Sequence, residues 1–143
     1  MKIKRLKENA IVPTAGSEYA AGYDLYACLG TTSIEIPPHS TAMIDIGWAM
    51  EIPEGTFGAI FARSGLASKQ GLRPANCVGV IDADYRGPVK VALHNDTNEM
   101  QVVVENERIA QLVILPYLVT DFHEVDELDE TNRGTGGFGS TGK

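Results

Sequence analysis

Residues 76–93 read NCVGVIDADYRGPVKVAL, and this stretch by itself indicates β-structure. Apolar residues lead into Ile81 and Asp82, residues 84–87 have the composition of a turn, and residues 89–93 form a second apolar run. Alternation within that run places its odd positions toward a core. We therefore expect a β-hairpin whose tip carries two carboxylates and a tyrosine. Such carboxylates are often only turn formers, yet a carboxylate directed at a water is also what hydrolysis requires.

The rest of the chain repeats this pattern of short β-rich runs separated by turn residues. Further strands are predicted at Ser33–Ile36, Thr41–Ile46, Thr56–Phe61, Gln101–Val104 and Ile109–Leu115. Pro-Pro, Pro-Glu-Gly and Asn-rich stretches separate them. Only Leu66–Gln70 suits a helix, and it offers little more than one turn before a glycine. The pattern predicts an all-β sandwich, barrel or jelly roll.

Length and composition are those of one folded domain. The chain has 143 residues, of which 43% are hydrophobic and 22% charged. No apolar run is long enough to span a membrane, and the N-terminus does not read as a secretory signal. Cys28 and Cys77 form neither a disulfide framework nor a metal-finger pattern, which is typical of free thiols in a reducing compartment. We expect an intracellular, cytoplasmic protein with no membrane partner.

The charge is concentrated near the C-terminus. The net charge is −7, which disfavours a nucleic-acid partner. Residues 121–130 hold six acids and no Lys or Arg, whereas the remaining 13 acids nearly balance the 12 bases. We interpret this block as a solvated connector rather than a metal-binding stretch.

The last residues, 132–143, read NRGTGGFGSTGK and cannot bury enough apolar area to fold alone. We expect this tail to be mobile until something binds it. Its glycine-freed amides, hydroxyls and arginine suit a phosphate chain, and its one aromatic ring suits a flat base.

Two further segments combine glycine with polar side chains. Residues 21–27 (AGYDLYA) could simply open a strand. Residues 62–67 (ARSGLA) end a predicted strand with a guanidinium, a hydroxyl and free amides, either as an anion site or as a turn with an exposed arginine.

Taken in order, five segments resemble the motifs of the trimeric dUTPases. They are AGYDLYA (21–27), ARSGLA (62–67), GVIDADYRG (79–87), ERIAQLVI (107–114) and RGTGGFGSTG (133–142). The resemblance implies a jelly-roll-like β-barrel that forms a homotrimer, with a β-barrel catalytic domain at 1–120. Residues 121–143 would form an acidic connector and a flexible glycine-rich C-terminal arm that closes over a neighbouring active site. Each of three active sites would take residues from all three chains.

The implied activity is hydrolysis of dUTP to dUMP and pyrophosphate, which keeps uracil out of DNA and supplies dUMP for thymidylate synthesis. By the resemblance, Asp82 holds and activates the water that attacks the α-phosphorus. Asn76 contacts the uracil edge, Gly79 belongs to the same base-binding segment, and Tyr85 packs under the deoxyribose. Asp84 is a supporting residue of the same segment.

The resemblance also implies which residues bind the phosphates of the substrate. Arg63, Ser64, Gly65 and Gln111 match phosphate-binding positions. The Mg²⁺ cofactor would be held mainly by the triphosphate and water, with Asp24 supporting the site through a water.

On the arm, the resemblance implies that Phe138 stacks on uracil and Arg133 reaches the γ-phosphate. Ser140 and Thr141 would donate to phosphate oxygens, and Gly139 belongs to the same substrate-binding set. Closure of the arm would exclude bulk water.

Two positions depart from the family pattern. Pro88 follows the turn where many members carry a polar residue, and it removes a backbone donor. Asn106 stands where a glycine is frequent, and asparagine is the next best residue for a left-handed turn.

Two rival functions remain open at this point. A dCTP deaminase of the same fold is one, although the third segment resembles the hydrolase. A dUTP-sensing module that switches a protein partner is the other.

Overall fold

The computed structural model describes residues 1–137, and within that range β-strands dominate, joined by turns. The strands are β1 (Lys2–Arg5), β2 (Thr14–Ala15), β3 (Tyr23–Tyr26), β4 (Ser33–Ile36), β5 (Thr41–Asp45), β6 (Trp48–Glu51), β7 (Thr56–Phe61), β8 (Leu72–Pro74), β9 (Gly79–Ile81), β10 (Lys90–Asn95), β11 (Gln101–Val104) and β12 (Arg108–Pro116). One π-helical turn spans Leu66–Gln70, where the sequence predicted a short helix. The all-β prediction is confirmed.

The strand pairing is nested, as in a long antiparallel ribbon that has been folded over on itself. β3 pairs with β12, β4 with β11 and β5 with β10, each pair antiparallel. β1 pairs with β6 in a separate two-stranded antiparallel sheet. Nested antiparallel pairing of distant strands is the connectivity of a jelly roll, which confirms the predicted fold class.

Two of the sheets position most of the predicted site residues. The larger has the strand order β2-β3-β12-β7-β9, and a smaller one has the order β5-β10-β8. The short loop between β8 and β9 moves the chain from the smaller sheet to the larger one, because β8 pairs with β10 whereas β9 pairs with β7.

One apolar core joins the sheets. Its fully buried members come from nearly every strand and include Leu25, Ile44, Leu72, Leu93 and Leu112. In the run 89–93 the three odd residues are buried and Lys90 is exposed, so the predicted alternation is confirmed. Burying side chains of this size stabilises the fold by roughly 1.5–3 kcal/mol each, which is why the pattern determines which face of a strand points inward.

The predicted hairpin at residues 76–93 is wrong. β9 pairs with β7, whereas β10 pairs with β5 and β8, so the two strands that flank the turn do not pair with each other. The turn itself is present, since the Tyr85 amide donates to the Asp82 carbonyl over 3.2 Å. It is a corner between two sheets rather than a hairpin tip. Pro88 lies before β10 begins, so no ladder hydrogen bond of that strand is lost.

Beyond β12, residues 117–130 make no strand pairing in the described part of the chain. Leu118, Val119 and Phe122 are 94%, 83% and 95% exposed in the isolated chain. Exposed apolar side chains of this kind have no core of their own to pack against.

Candidate active site

A pocket of about 400 Å³ opens beside β9. Its lining includes four residues that the sequence singled out: Asn76, Gly79, Asp82 and Tyr85. Asn76 and Asp82 come from the two turns that flank β9, and both are exposed. The pocket therefore gathers an amide, a carboxylate and an aromatic ring around one short strand.

The turn that leads into β9 is tight. The Cys77 amide donates to the Pro74 carbonyl over 3.0 Å, and the Val78 amide donates to the Asn76 carbonyl over 2.7 Å. Cys77 has a φ of 63°, a left-handed conformation that is uncommon for a residue with a side chain. Asn76 is thus presented from a turn with two internal backbone bonds, and the Ala75 amide ties this turn to the Ala92 carbonyl of β10 over 2.8 Å.

Gly79 lets the backbone of β9 approach β7 closely. It stands opposite Ile60, and an added Cβ would lie 3.1 Å from the Ile60 Cβ. Ile60 also lines the pocket. A larger residue at position 79 would push against this wall.

Tyr85 is held by its own turn. Its hydroxyl donates to the Pro88 carbonyl over 3.1 Å, and its ring lies against Gly87. A Cβ at position 87 would stand 2.4 Å from the Tyr85 Oη and 2.6 Å from its Cζ, which no real contact tolerates. Gly87 is therefore required for this ring position.

A second group of polar residues lies along one row of the larger sheet. Asp24 on β3 stands opposite Gln111 on β12, and Gln111 stands opposite Phe61 at the end of β7. Arg63, just past β7, donates from Nε to Asp24 Oδ1 over 2.8 Å. Arg108 donates from Nη1 to Asp24 Oδ2 over 3.2 Å. Asp24 is thus a half-buried carboxylate shared by two guanidinium groups, and charge-assisted bonds of this kind fix orientation strongly.

Arg108 was not predicted to be a site residue, and the reason is a β-bulge. The register of β12 against β3 shifts between Arg108 and Ala110. Arg108 therefore faces Tyr26 and Gln111 faces Asp24, so two residues that are three positions apart point to the same face. Strict alternation would place them on opposite faces. Asn106, with a φ of 65°, makes the left-handed turn before β12, as the sequence predicted.

Gln111 is positioned by its neighbours. Its Nε2 donates to the Ala62 carbonyl over 2.9 Å. A Cβ added at Gly22 would lie 2.5 Å from the Gln111 Oε1, so a larger residue there would move the end of this side chain from its present position. Gly22 and Gln111 come from two of the five motif-like segments, and their contact explains one glycine of the first.

Ser64 and Gly65 are exposed where the chain leaves β7 and enters the π-helical turn. The Ala67 amide donates to the Arg63 carbonyl over 3.0 Å, and the Ser68 hydroxyl donates to the Ser64 carbonyl over 2.6 Å. The side chain of Ser64 has no hydrogen-bond partner among the described residues. This turn therefore presents a hydroxyl beside the guanidinium of Arg63.

Within the described part of one chain, the pocket that contains Asp82 does not include the second group of polar residues. Neither Asp24, Arg63 nor Gln111 lines the 400 Å³ pocket that contains Asp82. The hydrogen bond that the described residues show for the Arg133 side chain is local, from its Nε to the Gly136 carbonyl over 2.8 Å. Phe138, Gly139, Ser140 and Thr141 lie outside the described residues.

Asp84 is separated from Asp82 although only one residue lies between them. It lines a different pocket, together with Glu51, Glu54 and Arg86. Its carboxylate therefore does not join the group around Asp82. In contrast, Met43 and Lys90 line the Asp82 pocket and were not predicted; the exposed even position of Lys90 on β10 was the available signal.

Metal ligation by the protein alone is not indicated in the described range. No group of three or more His, Cys, Asp or Glu residues there is placed to hold a metal ion. Both oxygens of Asp24 already accept hydrogen bonds from arginines. The described residues therefore suit a Mg²⁺ ion that is held mainly by phosphate oxygens and waters, which is the usual binding mode of Mg²⁺.

Among residues 1–137, no helix has the length and apolar character that crossing a membrane requires.

Comparison with known proteins shows the family of this chain. The dUTPase family model matches residues 8–142. The deoxyuridine 5'-triphosphate nucleotidohydrolase of Escherichia phage T5 is 50% identical over 147 residues, covering 99% of this chain and 98% of the phage protein.

Solved structures extend the likeness to the fold. The Staphylococcus bacteriophage 80alpha dUTPase with dUPNHPP superposes with a TM-score of 0.88 at 30% identity, covering 99% of this chain and 98% of that one. A mutant dUTPase from phage phi11 of S. aureus, whose structure reveals the coordination of a structural Mg(II) ion, superposes with a TM-score of 0.78 at 27% identity; it covers 88% of this chain and 96% of that one. With a family model that spans nearly the whole chain and a relative at 50% identity, this chain belongs to the dUTPase family.

Proposed function

We propose that this protein hydrolyses dUTP to dUMP and pyrophosphate. The observation that carries the proposal is the pocket beside β9, where Asn76, Asp82 and Tyr85 converge. Its relatives are named as nucleotidohydrolases of deoxyuridine triphosphate, and one of the similar structures contains dUPNHPP. Because the substrate is a nucleotide of the cell interior, we place the activity inside the cell.

Base and sugar recognition would fall to the turns that flank β9. The internally bonded turn at residues 74–78 would present Asn76 and the backbone near Gly79 to the uracil edge. The Tyr85 ring, held by Gly87 and by the Pro88 carbonyl, would lie beneath the deoxyribose and leave no room for a 2′-hydroxyl. A rigid aromatic wall rejects a larger sugar because displacing it would also displace the turn.

Asp82 would hold the attacking water. It is exposed at the edge of the pocket, where its carboxylate can accept a hydrogen bond from a water. Such a group is a weak base, so its main contribution would be to orient the water toward the α-phosphorus and to accept its proton as the bond forms. General-base assistance of this kind accelerates hydrolysis by roughly 10²–10⁴-fold.

The triphosphate would lie along the row formed by Arg63, Ser64, Gly65 and Gln111. Asp24 would orient Arg63 rather than bind the metal directly. Bound Mg²⁺ would neutralise phosphate charge as the leaving group departs, with Asp24 reaching it at most through a water. A related phage dUTPase coordinates a structural Mg(II) ion, so binding of this metal occurs within the family.

We further propose that the active site is completed between chains in a homotrimer. Within one chain, Asp24 and Arg63 do not line the pocket that contains Asp82. The proposed reaction needs both groups of residues at the same substrate. The exposed apolar residues after β12 would pack on a neighbouring copy. In this arrangement, residues 1–120 form the catalytic body, and 121–143 cross to a neighbouring site, with Arg133, Phe138, Gly139, Ser140 and Thr141 contacting the substrate.

The decisive experiment is pyrophosphate release by the purified full chain with Mg²⁺, comparing dUTP with dCTP, dTTP and UTP. We expect rapid release from dUTP and little from the other three. The solution mass, measured by light scattering, should be three times the 15.4 kDa chain mass.

The other outcomes separate the alternatives. Ammonia release from dCTP would identify a deaminase of the same fold. Tight dUTP binding without pyrophosphate release would indicate a sensing module and would contradict the role proposed for Asp82.

A further inference from the structure

Arg73 and Asp96 form a two-pronged ion pair outside all five motif-like segments. Arg73 lies on β8 and Asp96 directly follows β10. The Arg73 Nε donates to Asp96 Oδ2 over 2.5 Å, and its Nη2 donates to Asp96 Oδ1 over 2.9 Å. This hydrogen bonding holds the pKa of Asp96 below its usual value. A planar fork of this kind fixes direction as well as distance.

The remaining nitrogen of the same guanidinium contacts the turn that carries Asn76. The Arg73 Nη1 donates to the Pro74 carbonyl over 3.2 Å and to the Ala75 carbonyl over 3.4 Å. It also stands 3.9 Å from the Cys77 Sγ. One side chain thus touches the turn on both sides of Asn76, a residue of the proposed base pocket.

The other end of the pair is anchored in the body. Asn95, which is fully buried, donates from Nδ2 to the Ile36 and Glu99 carbonyls over 3.0 and 2.7 Å. Its Oδ1 accepts a hydrogen bond of 2.9 Å from the Thr97 amide. Because buried amides with every partner in place resist movement, the backbone around Asp96 is a fixed support.

The same loop also supports the π-helical turn that follows Ser64 and Gly65, two of the proposed phosphate-binding residues. The Asp96 amide donates to the Gly71 carbonyl over 2.9 Å, directly after the π-helical turn. An added Cβ at Gly71 would lie 2.5 Å from the Thr97 Cγ2, so the contact is close. The loop at residues 95–99 therefore supports the end of one functional turn and, through Arg73, the start of the other.

We propose that Arg73 and Asp96 brace the Asn76 turn and thereby set how tightly the protein binds and selects the pyrimidine base. Both act as positioning residues, since neither lines the pocket. The proposal rests on the proposed function, in which Asn76 contacts uracil. Without the ion pair, the backbone bonds of the turn remain, including the 2.8 Å bond from the Ala75 amide to the Ala92 carbonyl of β10. The part of the turn beyond Ala75, which carries Asn76 and Cys77, loses its side-chain tie to Arg73 and Asp96 and samples more than one position.

An exposed ion pair that merely adds stability would behave differently. Such pairs contribute little to folding, and their loss affects all properties of an enzyme through the folded fraction alone. A brace on the base pocket instead raises KM for dUTP and weakens discrimination against dCTP while kcat is kept. That split between KM and kcat distinguishes the two roles.

The test uses Arg73→Gln and Asp96→Asn, with Asp96→Glu as the conservative variant. The matched control is Glu51→Gln, which breaks the exposed pair of Glu51 with Lys2 at 3.1 Å. Steady-state kinetics with dUTP and dCTP, together with the affinity for dUPNHPP, are the readouts. We expect KM for dUTP and Kd for the analogue to rise about tenfold in the first two variants with kcat within about twofold. Asp96→Glu should recover part of the loss, and the control should match the wild type.

Two results would overturn the proposal that Arg73 and Asp96 position the Asn76 turn. One is an unchanged KM and analogue affinity in both Arg73→Gln and Asp96→Asn. The other is a parallel loss of kcat, affinity and melting temperature, which would indicate a purely structural pair. Failure of the proposed function is distinguishable, because the wild type would then release no pyrophosphate from dUTP, while analogue binding would still report on the brace.

Discussion

Asp24 accepts a hydrogen bond of 2.8 Å from the Nε of Arg63, and the two side chains are 13% and 25% exposed. The residues come from segments far apart in the chain, and the sheet brings them together because β3 and β7 both flank β12. Because the second carboxylate oxygen accepts a hydrogen bond from Arg108, Asp24 orients the guanidinium groups of both Arg63 and Arg108. The proposed phosphate site is therefore preorganised before any nucleotide arrives.

The substitution Asp24→Asn should lower kcat/KM for dUTP by about tenfold or more. A hydrogen bond between charged groups is worth about 1.5–3 kcal/mol, and its loss leaves Arg63 free to point away from the phosphates. Steady-state kinetics with a parallel melting curve check this. Glu51→Gln, which removes an exposed carboxylate from an ion pair, is the control. Unchanged kinetics in Asp24→Asn would show that Arg63 needs no orienting partner.

The substitution Asp82→Asn should reduce kcat by roughly 10²–10⁴-fold while the affinity for dUPNHPP stays near that of the wild type. The amide keeps the shape of the side chain but accepts no proton. Asp84→Asn is the matched control, because it changes the same chemical group within the same turn but in a different pocket. There we expect kcat within about twofold of the wild type. Equal turnover in Asp82→Asn would remove Asp82 as the partner of the water.

Mixing two inactive variants should restore activity if the site is shared between chains. Asp82→Asn damages the pocket, and Arg63→Ala damages the phosphate row. In mixed trimers formed by refolding the two together, about a quarter of the sites would combine an intact Asp82 with an intact Arg63, for random assembly of equal amounts. Pyrophosphate release by the mixture, compared with each variant alone, is the measurement. A mixture as inactive as its components would place both groups in one chain's site.

The substitution Gly87→Ala should relax the rejection of UTP. Its Cβ would stand 2.4 Å from the Tyr85 Oη, so the ring must leave its present position. We expect the preference for dUTP over UTP, measured as the ratio of kcat/KM values, to fall about tenfold. Tyr85→Phe keeps the ring and loses only the 3.1 Å bond to Pro88, so it should retain most of the preference. Full preference in Gly87→Ala would mean that another group checks the sugar.

The two cysteines should differ sharply in reactivity. Cys28 is 1% exposed, and burial raises the pKa of its thiol, whereas Cys77 is exposed. A chromogenic disulfide reagent at pH 8 should therefore titrate one thiol per chain quickly and the second only on unfolding. Cys77→Ser should abolish the fast phase, and a fast phase that survives this change would contradict the burial of Cys28.

The buried thiol of Cys28 makes the free energy of unfolding depend on pH in the alkaline range. Burial raises the pKa of Cys28 in the folded state. The stability that the buried neutral thiol contributes is therefore fully present below the unfolded thiol pKa of about 8.5. It is lost progressively as pH rises above that value, because the unfolded chain ionises first. Urea unfolding at pH 8 and pH 10 should show a smaller pH-dependent loss in Cys28→Ala than in the wild type, after allowing for its lower baseline stability.

Several elements could be predicted from the chain alone because they depend on neighbouring residues. The strands Ser33–Ile36, Thr56–Phe61 and Gln101–Val104 have the predicted bounds, since turn residues delimit β-rich runs. The inward face of residues 89–93 follows from alternation, and the left-handed Asn106 follows from its turn propensity. The motif-like segments also determined the family, because their order and spacing are sequence properties.

Other features were decided only by tertiary structure. β9 joins β7 rather than β10, which a local reading of residues 76–93 could not show. The bulge in β12 directs Arg108 toward Asp24 against the simple alternation rule. The Arg73–Asp96 contact joins two strands whose pairing is long-range. In each case the physical reason is the same: local propensity determines that a strand forms, but its partner and register depend on which pairing buries the most apolar surface in the whole chain.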